Sequence, residues 1–199
     1  MKNIIAGIIL SCLSMGSSSM VQAGNAKAGK IAFETCEGCH SHSSYSNIYP
    51  TYYVPKLGGQ RPSYVVSALK AYRDESRPHA SMQGNAYNLT DQKIEDIAAF
   101  LTKSTLEPEA SPADGSAKAG KVLSASCMGC HAEGKDTGAG YPRLTGQYGN
   151  YLVKAMKDYK TGRRKNAIMQ SMVKDLSTDD MENLSAYFAS QVALSVVEH

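Results

Sequence analysis

Spare cysteine is the first thing this chain lacks. Of its five cysteines, Cys12 lies in an apolar leader, and the other four fall in two Cys-x-x-Cys-His strings: Cys36, Cys39, His40 and Cys127, Cys130, His131. None is left for a structural bridge or a catalytic thiol, even in an oxidising compartment that would allow disulfides. The chain also lacks an excess of either charge. Residues 24–110 hold nine Lys/Arg against nine Asp/Glu, and residues 111–199 hold eleven against nine. That balance excludes a nucleic-acid partner, which calls for a strongly basic surface. No apolar run after the leader reaches the ~20 residues of a membrane span. No stretch alternates apolar and polar residues with period two, so the fold class read here is all-α.

The leader opens with Lys2 and Asn3 and continues through a short apolar, Ser-interrupted run. It ends on Val21-Gln22-Ala23, with small residues where a signal peptidase cuts. Residues 1–23 therefore read as a cleaved signal peptide. The alternatives are a retained anchor, for which the run is short, and a lipoprotein at Cys12, for which Ile9-Leu10-Ser11 is a poor recognition string.

An internal duplication organises the rest. GNAKAGKIAFETCEGCH from Gly24 matches GSAKAGKVLSASCMGCH from Gly115 at ten of seventeen positions, offset by 91. The segments from Pro55 and from Pro142 match at an offset of 87, as do those from Leu89 and Leu176. The difference leaves the first copy with a longer loop carrying Tyr45, Tyr49, Tyr52 and Tyr53. Two domains are expected, 24–104 and 116–199, joined by a Pro-, Ser- and acid-rich linker over 105–115. Each is small enough that an apolar core alone is marginal. Three helices are expected per copy. The first starts after Asn25 or Ser116, the second covers about 63–73 or 150–159, and the third starts after Thr90 or Ser177.

Cys-x-x-Cys-His has a chemical logic. Two thiols three positions apart can each add to one vinyl group of a single haem, and the next residue brings an imidazole beneath the iron. The attached macrocycle also supplies the apolar bulk that each small domain lacks. A shared zinc site is the competing reading, but the pairs lie 91 residues apart in separate copies; a redox dithiol is the third. A second axial ligand should recur in both copies, and Met82 and Met169 do. Their rivals do not: Met172 matches Asn85, His42 matches Glu133, and His79 matches Asn166. Both methionines are expected in a loop between the second and third helices. His/Met ligation characterises electron-carrying cytochromes c and leaves no open site on the iron. Pro55 and Pro142 read either as loop-shaping residues or as carriers of the carbonyl that fixes the proximal histidine. Gly29 and Gly120 imply a close helix crossing near Phe100 and Tyr187. Lys154, Lys157, Lys160, Arg163, Arg164 and Lys165 read either as a solvated helix face or as a docking patch for an acidic partner.

With its two haem strings, the P-x-L-x-G-Q loops at Pro55 and Pro142, the methionine segments and the third helices, the chain resembles the dihaem cytochrome c4 family. The resemblance implies two tandem class I cytochrome c domains related by a pseudo-twofold axis, with their haem edges close. It implies two haem c groups: one on Cys36 and Cys39 with His40 and Met82 as iron ligands, the other on Cys127 and Cys130 with His131 and Met169. It further implies a periplasmic carrier, often loosely associated with the membrane surface. Its partners would be redox proteins: a quinol-oxidising complex or other donor, and a terminal oxidase as acceptor. Two other functions fit the layout. One is the dihaem subunit of a flavocytochrome c sulfide dehydrogenase. The other is a dihaem redox enzyme, which would need an open iron or an unusual ligand. Unequal potentials are expected, because the surroundings of the two strings differ.

Overall fold

Asn25 opens α1 (Ala26–His40): its side-chain oxygen accepts from the Lys27 and Ala28 N–H groups at 2.9 and 3.2 Å, two donors the helix cannot satisfy itself. The computed structural model describes residues 23–48, 50–103, 107–108, 110–134 and 136–197. The expected signal peptide, Ala23 apart, lies outside the described residues, as do Tyr49 and part of the expected linker. A hairpin follows α1, formed by β1 (Ser46–Ile48) and β2 (Thr51–Tyr53), and then come α2 (Pro62–Arg73), α3 (Ala80–Ala86) and α4 (Asp91–Lys103). The second half repeats the helices without the hairpin: α5 (Ala117–Leu123), a 3₁₀ turn (Ser124–Ser126), α6 (Met128–His131), α7 (Gly149–Lys160), α8 (Ala167–Val173) and α9 (Thr178–Ala189).

The all-α reading holds, with one small antiparallel ladder added in the Tyr-rich stretch. Strands of three residues are too short to show alternation, and the hairpin is anchored by distant residues. Tyr53 meets Tyr148 edge-on at 5.1 Å, Tyr52 lies 6.3 Å from Tyr151, and the Tyr53 N–H donates to Asn150 at 3.2 Å. The loop thus braces the first half on α7 of the second.

The methionine segments, expected as loops, are the short helices α3 and α8. His79 Nδ1 caps α3 by accepting from the Met82 N–H at 3.3 Å, and the Asn166 side chain caps α8 by accepting from the Met169 N–H at 3.0 Å. Seven residues are too few for a helical period to register in sequence. The third helices begin as expected. Thr90 accepts from Lys93, and Ser177 forms a reciprocal capping box with Asp180.

Within each half, the first and third helices cross at glycine. A Cβ on Gly29 would stand 1.9 Å from the Asp96 carbonyl oxygen and 2.8 Å from the Phe100 Cβ; one on Gly120 would stand 1.8 Å from the Asn183 carbonyl oxygen and 2.9 Å from the Tyr187 Cβ. The first helices nevertheless differ. Phe33 is buried against Phe100, with ring centroids 5.6 Å apart, inside a continuous α1. Its counterpart Ser124 returns its hydroxyl to the Lys121 carbonyl at 2.9 Å, where the α5 helix gives way to the 3₁₀ turn.

Reciprocal hydrogen bonds join the halves. Buried Gln60 donates to the Arg143 carbonyl at 3.1 Å and accepts from the Arg143 N–H at 2.7 Å. Buried Gln147 donates to the Lys56 carbonyl and accepts from the Lys56 N–H, both at 2.9 Å. The tail after α9 crosses back to the first half. Ser195 exchanges backbone bonds with Gly58 at 2.9 and 3.1 Å, and Val197 is buried in the first core beside Phe33, Val65 and Leu101.

Candidate functional site

The residues singled out by the duplication converge on one cavity of about 590 Å³ that runs between the halves, within the size range of ligand sites. Its lining includes Cys36, Cys39, His40 and Met82 from the first half and Cys127, Cys130, His131 and Met169 from the second. No disulfide joins any two of these four cysteines. Burial pushes the Cys36 and Cys127 thiols up, whereas Cys39 and Cys130 are exposed at the cavity edge. Among the described residues, no three His, Cys, Asp or Glu side chains converge as a metal cluster, so the donor set of a shared zinc site is not assembled.

The two histidines are held identically. His40 Nδ1 donates to the Pro55 carbonyl at 2.9 Å, and His131 Nδ1 donates to the Pro142 carbonyl at 2.9 Å. This assignment makes Nε2 the unprotonated nitrogen in both rings, with a lone pair available to the cavity. Burial lowers the pKa of each imidazole; the proline carbonyl pulls the other way and does not overcome it. Both rings are therefore held in the neutral, ligating form. Of the two readings left open for the prolines, the geometry has the carbonyl that holds the histidine.

The rivals for the second axial position are placed differently. His79 spends Nδ1 on capping α3 and Nε2 on the Tyr52 hydroxyl at 2.9 Å. His42 is not among the cavity-lining residues. Met172 reaches the cavity mouth but is 41% exposed.

A second cluster, of which the sequence reading noted only Arg164 and took it as part of a solvated face or docking patch, lines the cavity wall. Arg77, Tyr64 and Tyr72 recur as Arg164, Tyr151 and Tyr159 at the offset of 87 that also selects the methionines. That offset was the available signal. Arg77 donates to the Tyr64 and Tyr151 hydroxyls at 3.3 and 3.1 Å, and Arg164 donates to the Tyr151 hydroxyl at 3.2 Å. Each guanidinium also lies over an aromatic ring, Arg77 over Tyr72 at 4.5 Å and Arg164 over Tyr159 at 5.6 Å. Arg164 has Asp158 at 3.8 Å, but among the described residues no carboxylate pairs with Arg77, whose Nε is buried without a partner. Burial would push the Tyr151 phenol up; the Arg164 and Arg77 guanidiniums outweigh it and bring the phenol down to about 7. Uncompensated buried cations are costly. A haem fits this wall: it brings carboxylates for the guanidiniums, vinyl groups for the thiols and an iron for the imidazole lone pairs.

The comparisons agree with this geometry. A protein-family model described as cytochrome c matches residues 117–191. Cytochrome c4 of Pseudomonas aeruginosa is 34% identical over 191 residues, covering 88% of this chain and 93% of its own. The thiosulfate dehydrogenase electron acceptor of Stutzerimonas stutzeri is 26% identical and covers 96% of each chain. The crystal structure of reduced cytochrome c4 from Pseudomonas stutzeri superimposes with a TM-score of 0.69 at 28% identity, covering 85% of this chain and all of that one.

Proposed function

Because the chain belongs to the cytochrome c4 family of dihaem electron carriers, we propose that it works in the periplasm, taking electrons from a redox-protein donor such as a quinol-oxidising complex and delivering them towards a terminal oxidase, without catalysing a substrate reaction itself. The protein carries two haem c groups, and each supplies a one-electron iron couple. This reading divides the chain into a signal peptide over 1–23, domains over 24–104 and 116–199, and a linker over 105–115. Cys36 and Cys39 would hold one haem as thioethers, and Cys127 and Cys130 the other. His40 and His131 would ligate through Nε2, and Met82 and Met169 would take the opposite positions.

Each residue then has a physical task. The Pro55 and Pro142 carbonyls fix the tautomer and orientation of the proximal rings and raise their basicity. A thioether sulfur is soft and neutral, so it favours the reduced metal and a higher potential. With His40, Met82, His131 and Met169 as ligands, the irons would have no site left for substrate. Arg77 and Arg164 would face the haem carboxylates, and the Tyr64, Tyr72, Tyr151 and Tyr159 rings would keep water from the space between the two sites. Among the described residues no helix is long and apolar enough to cross a membrane; any membrane contact in this reading is a loose surface association.

The observation that carries the reading is the matched pair of His–Pro bonds, both at 2.9 Å, opening on one cavity that also holds both Cys pairs and both methionines. Absorption spectroscopy of the ferric protein tests it. Two haems per chain and a charge-transfer band of Met-ligated iron are expected, with Met82→Ala and Met169→Ala each removing part of that band and allowing carbon monoxide to bind the reduced iron. Ready carbon monoxide binding to the unmodified protein once reduced would overturn it.

The donor has a second reading. The relative named as a thiosulfate dehydrogenase electron acceptor matches over nearly the whole chain, which supports uptake of electrons from a sulfur-oxidising dehydrogenase. Rapid reduction by a thiosulfate dehydrogenase in stopped flow, with no reduction by a quinol-oxidising complex, would favour it. Co-purification with a flavoprotein would instead favour the flavocytochrome subunit.

A further inference from the structure

The duplication allows the two methionine faces to be compared position by position. In the second half, α8 exposes Ile168 and Met172, 55% and 41% accessible, one helical turn apart and therefore on one face. Both line the cavity mouth, as does Lys165. Their counterparts on α3 are the polar Ser81 and Asn85. The rims differ in the same sense. Around α8, Arg163, Lys165 and Lys174 are exposed; Arg163 lies 3.9 Å from the buried Asp158 and Lys174 lies 3.7 Å from Asp175. Three exposed cations thus stand against one exposed carboxylate. Around α3 the exposed charges are Asp74 and Glu75, and Tyr87 stands where the second half has Lys174. Of the cationic cluster noted in the sequence, Lys154 and Arg164 are drawn inward onto Asp158; the four that stay exposed are Lys157 and Lys160 on α7 and Arg163 and Lys165 beside α8.

We propose that the α8 face, with Ile168 and Met172 at its centre and Arg163, Lys165 and Lys174 at its rim, is the surface on which a redox protein with an acidic docking face exchanges electrons with the second haem. An apolar centre desolvated inside a charged rim is the anatomy of a transient protein interface, and this one sits at the mouth of the site it would serve. A membrane surface is the poorer fit, because two apolar side chains on a seven-residue helix offer little to bury in lipid. The α3 face lacks both features and does not share the role. The proposal rests on the dihaem reading above.

The test uses the loaded protein and plant plastocyanin, a blue-copper protein with an acidic patch, as the probe; one electron leaves a ferrous haem and reduces Cu(II) to Cu(I). The bimolecular rate in stopped flow is expected to fall as salt rises. K165E with K174E lowers the low-salt rate by about tenfold. I168S with M172N, which writes the first half's residues into the second, lowers the rate at high salt several-fold. The control pair K118E with K121E, exposed on α5, leaves it within about twofold. Carbodiimide cross-linking is expected to join plastocyanin carboxylates to Lys165 and Lys174. Equal loss in the control pair, cross-links concentrated on Lys118 and Lys121, or Ile168-dependent binding to phosphatidylglycerol vesicles with an unchanged plastocyanin rate would each overturn the proposal. Haem content and the Met–iron band are recorded on every variant, so failure of the dihaem reading shows separately from failure of docking.

Discussion

The two halves keep one arrangement of cavity groups and differ in almost everything that surrounds it. The His–Pro bond is the same length in both, and the glycine crossings agree to 0.1 Å in their nearest approach. The reciprocal glutamines also match. Around that shared frame, the first half has Phe33 in a continuous helix, a tyrosine hairpin, a histidine cap and the buried Val197 of the tail; the second has Ser124 in a broken helix, a Gly-containing loop and an asparagine cap. Residues whose atoms meet the cofactor site or the helix crossing have little geometric freedom, whereas those that cover them can diverge. The shared frame should therefore respond alike to substitution in the two halves, and the divergent shell should respond in one half only.

The largest effect tests the shared frame. In G29A and G120A the new methyl group would collide with a backbone carbonyl at under 2 Å, and backbone cannot rotate aside as a side chain can. Each variant is expected to lose about 3 kcal/mol or more, read as a lower melting midpoint of the haem in the substituted half. If only one of the two variants were destabilised, the crossings would not be equivalent.

A smaller effect tests the junction. Q60A and Q147A each remove a side chain that bonds both the backbone N–H and the C=O of one residue in the opposite half, Arg143 and Lys56 respectively. A loss of about 1–3 kcal/mol is expected for each. The melting transitions of the two haems should also separate, because the bonds lost are among those that couple the halves. Two transitions that still coincide in the double variant would show that the hairpin, the tail and the arginine bonds across the junction couple the halves without the glutamines.

Legibility in the sequence followed the same division. The cysteines, histidines, prolines, methionines and crossing glycines could be singled out because each recurs at an offset of 91 or 87 and because their chemistry is particular to the residue type. The roles of Gln60 and Gln147 were not, although both sit in the quoted loops, because the partner of each is a backbone group 83 or 91 residues away. Arg164 was hidden by context, since a cation in a basic stretch reads as solvated, and only the fold shows Arg164 and Arg77 turned onto tyrosine rings. Short elements such as the hairpin, α3 and α8 fell below the length at which a period can be seen.

The smallest effect isolates the divergent shell. His79 does two things that Asn166 does not do together: its Nδ1 accepts from the Met82 N–H, and its Nε2 meets the Tyr52 hydroxyl. H79N should keep the cap, since asparagine is a preferred N-cap residue and fills that role on α8, and should lose only the tyrosine bond. Y52F loses the same bond from the other side. Each is expected to cost about 0.5–1.5 kcal/mol, and the double variant should cost no more than the larger single, because one bond cannot be lost twice. The measurement is a denaturant titration followed at the first haem. Additive losses would mean that His79 holds α3 through some contact besides the Tyr52 bond, and the two caps would then differ in kind and not only in residue.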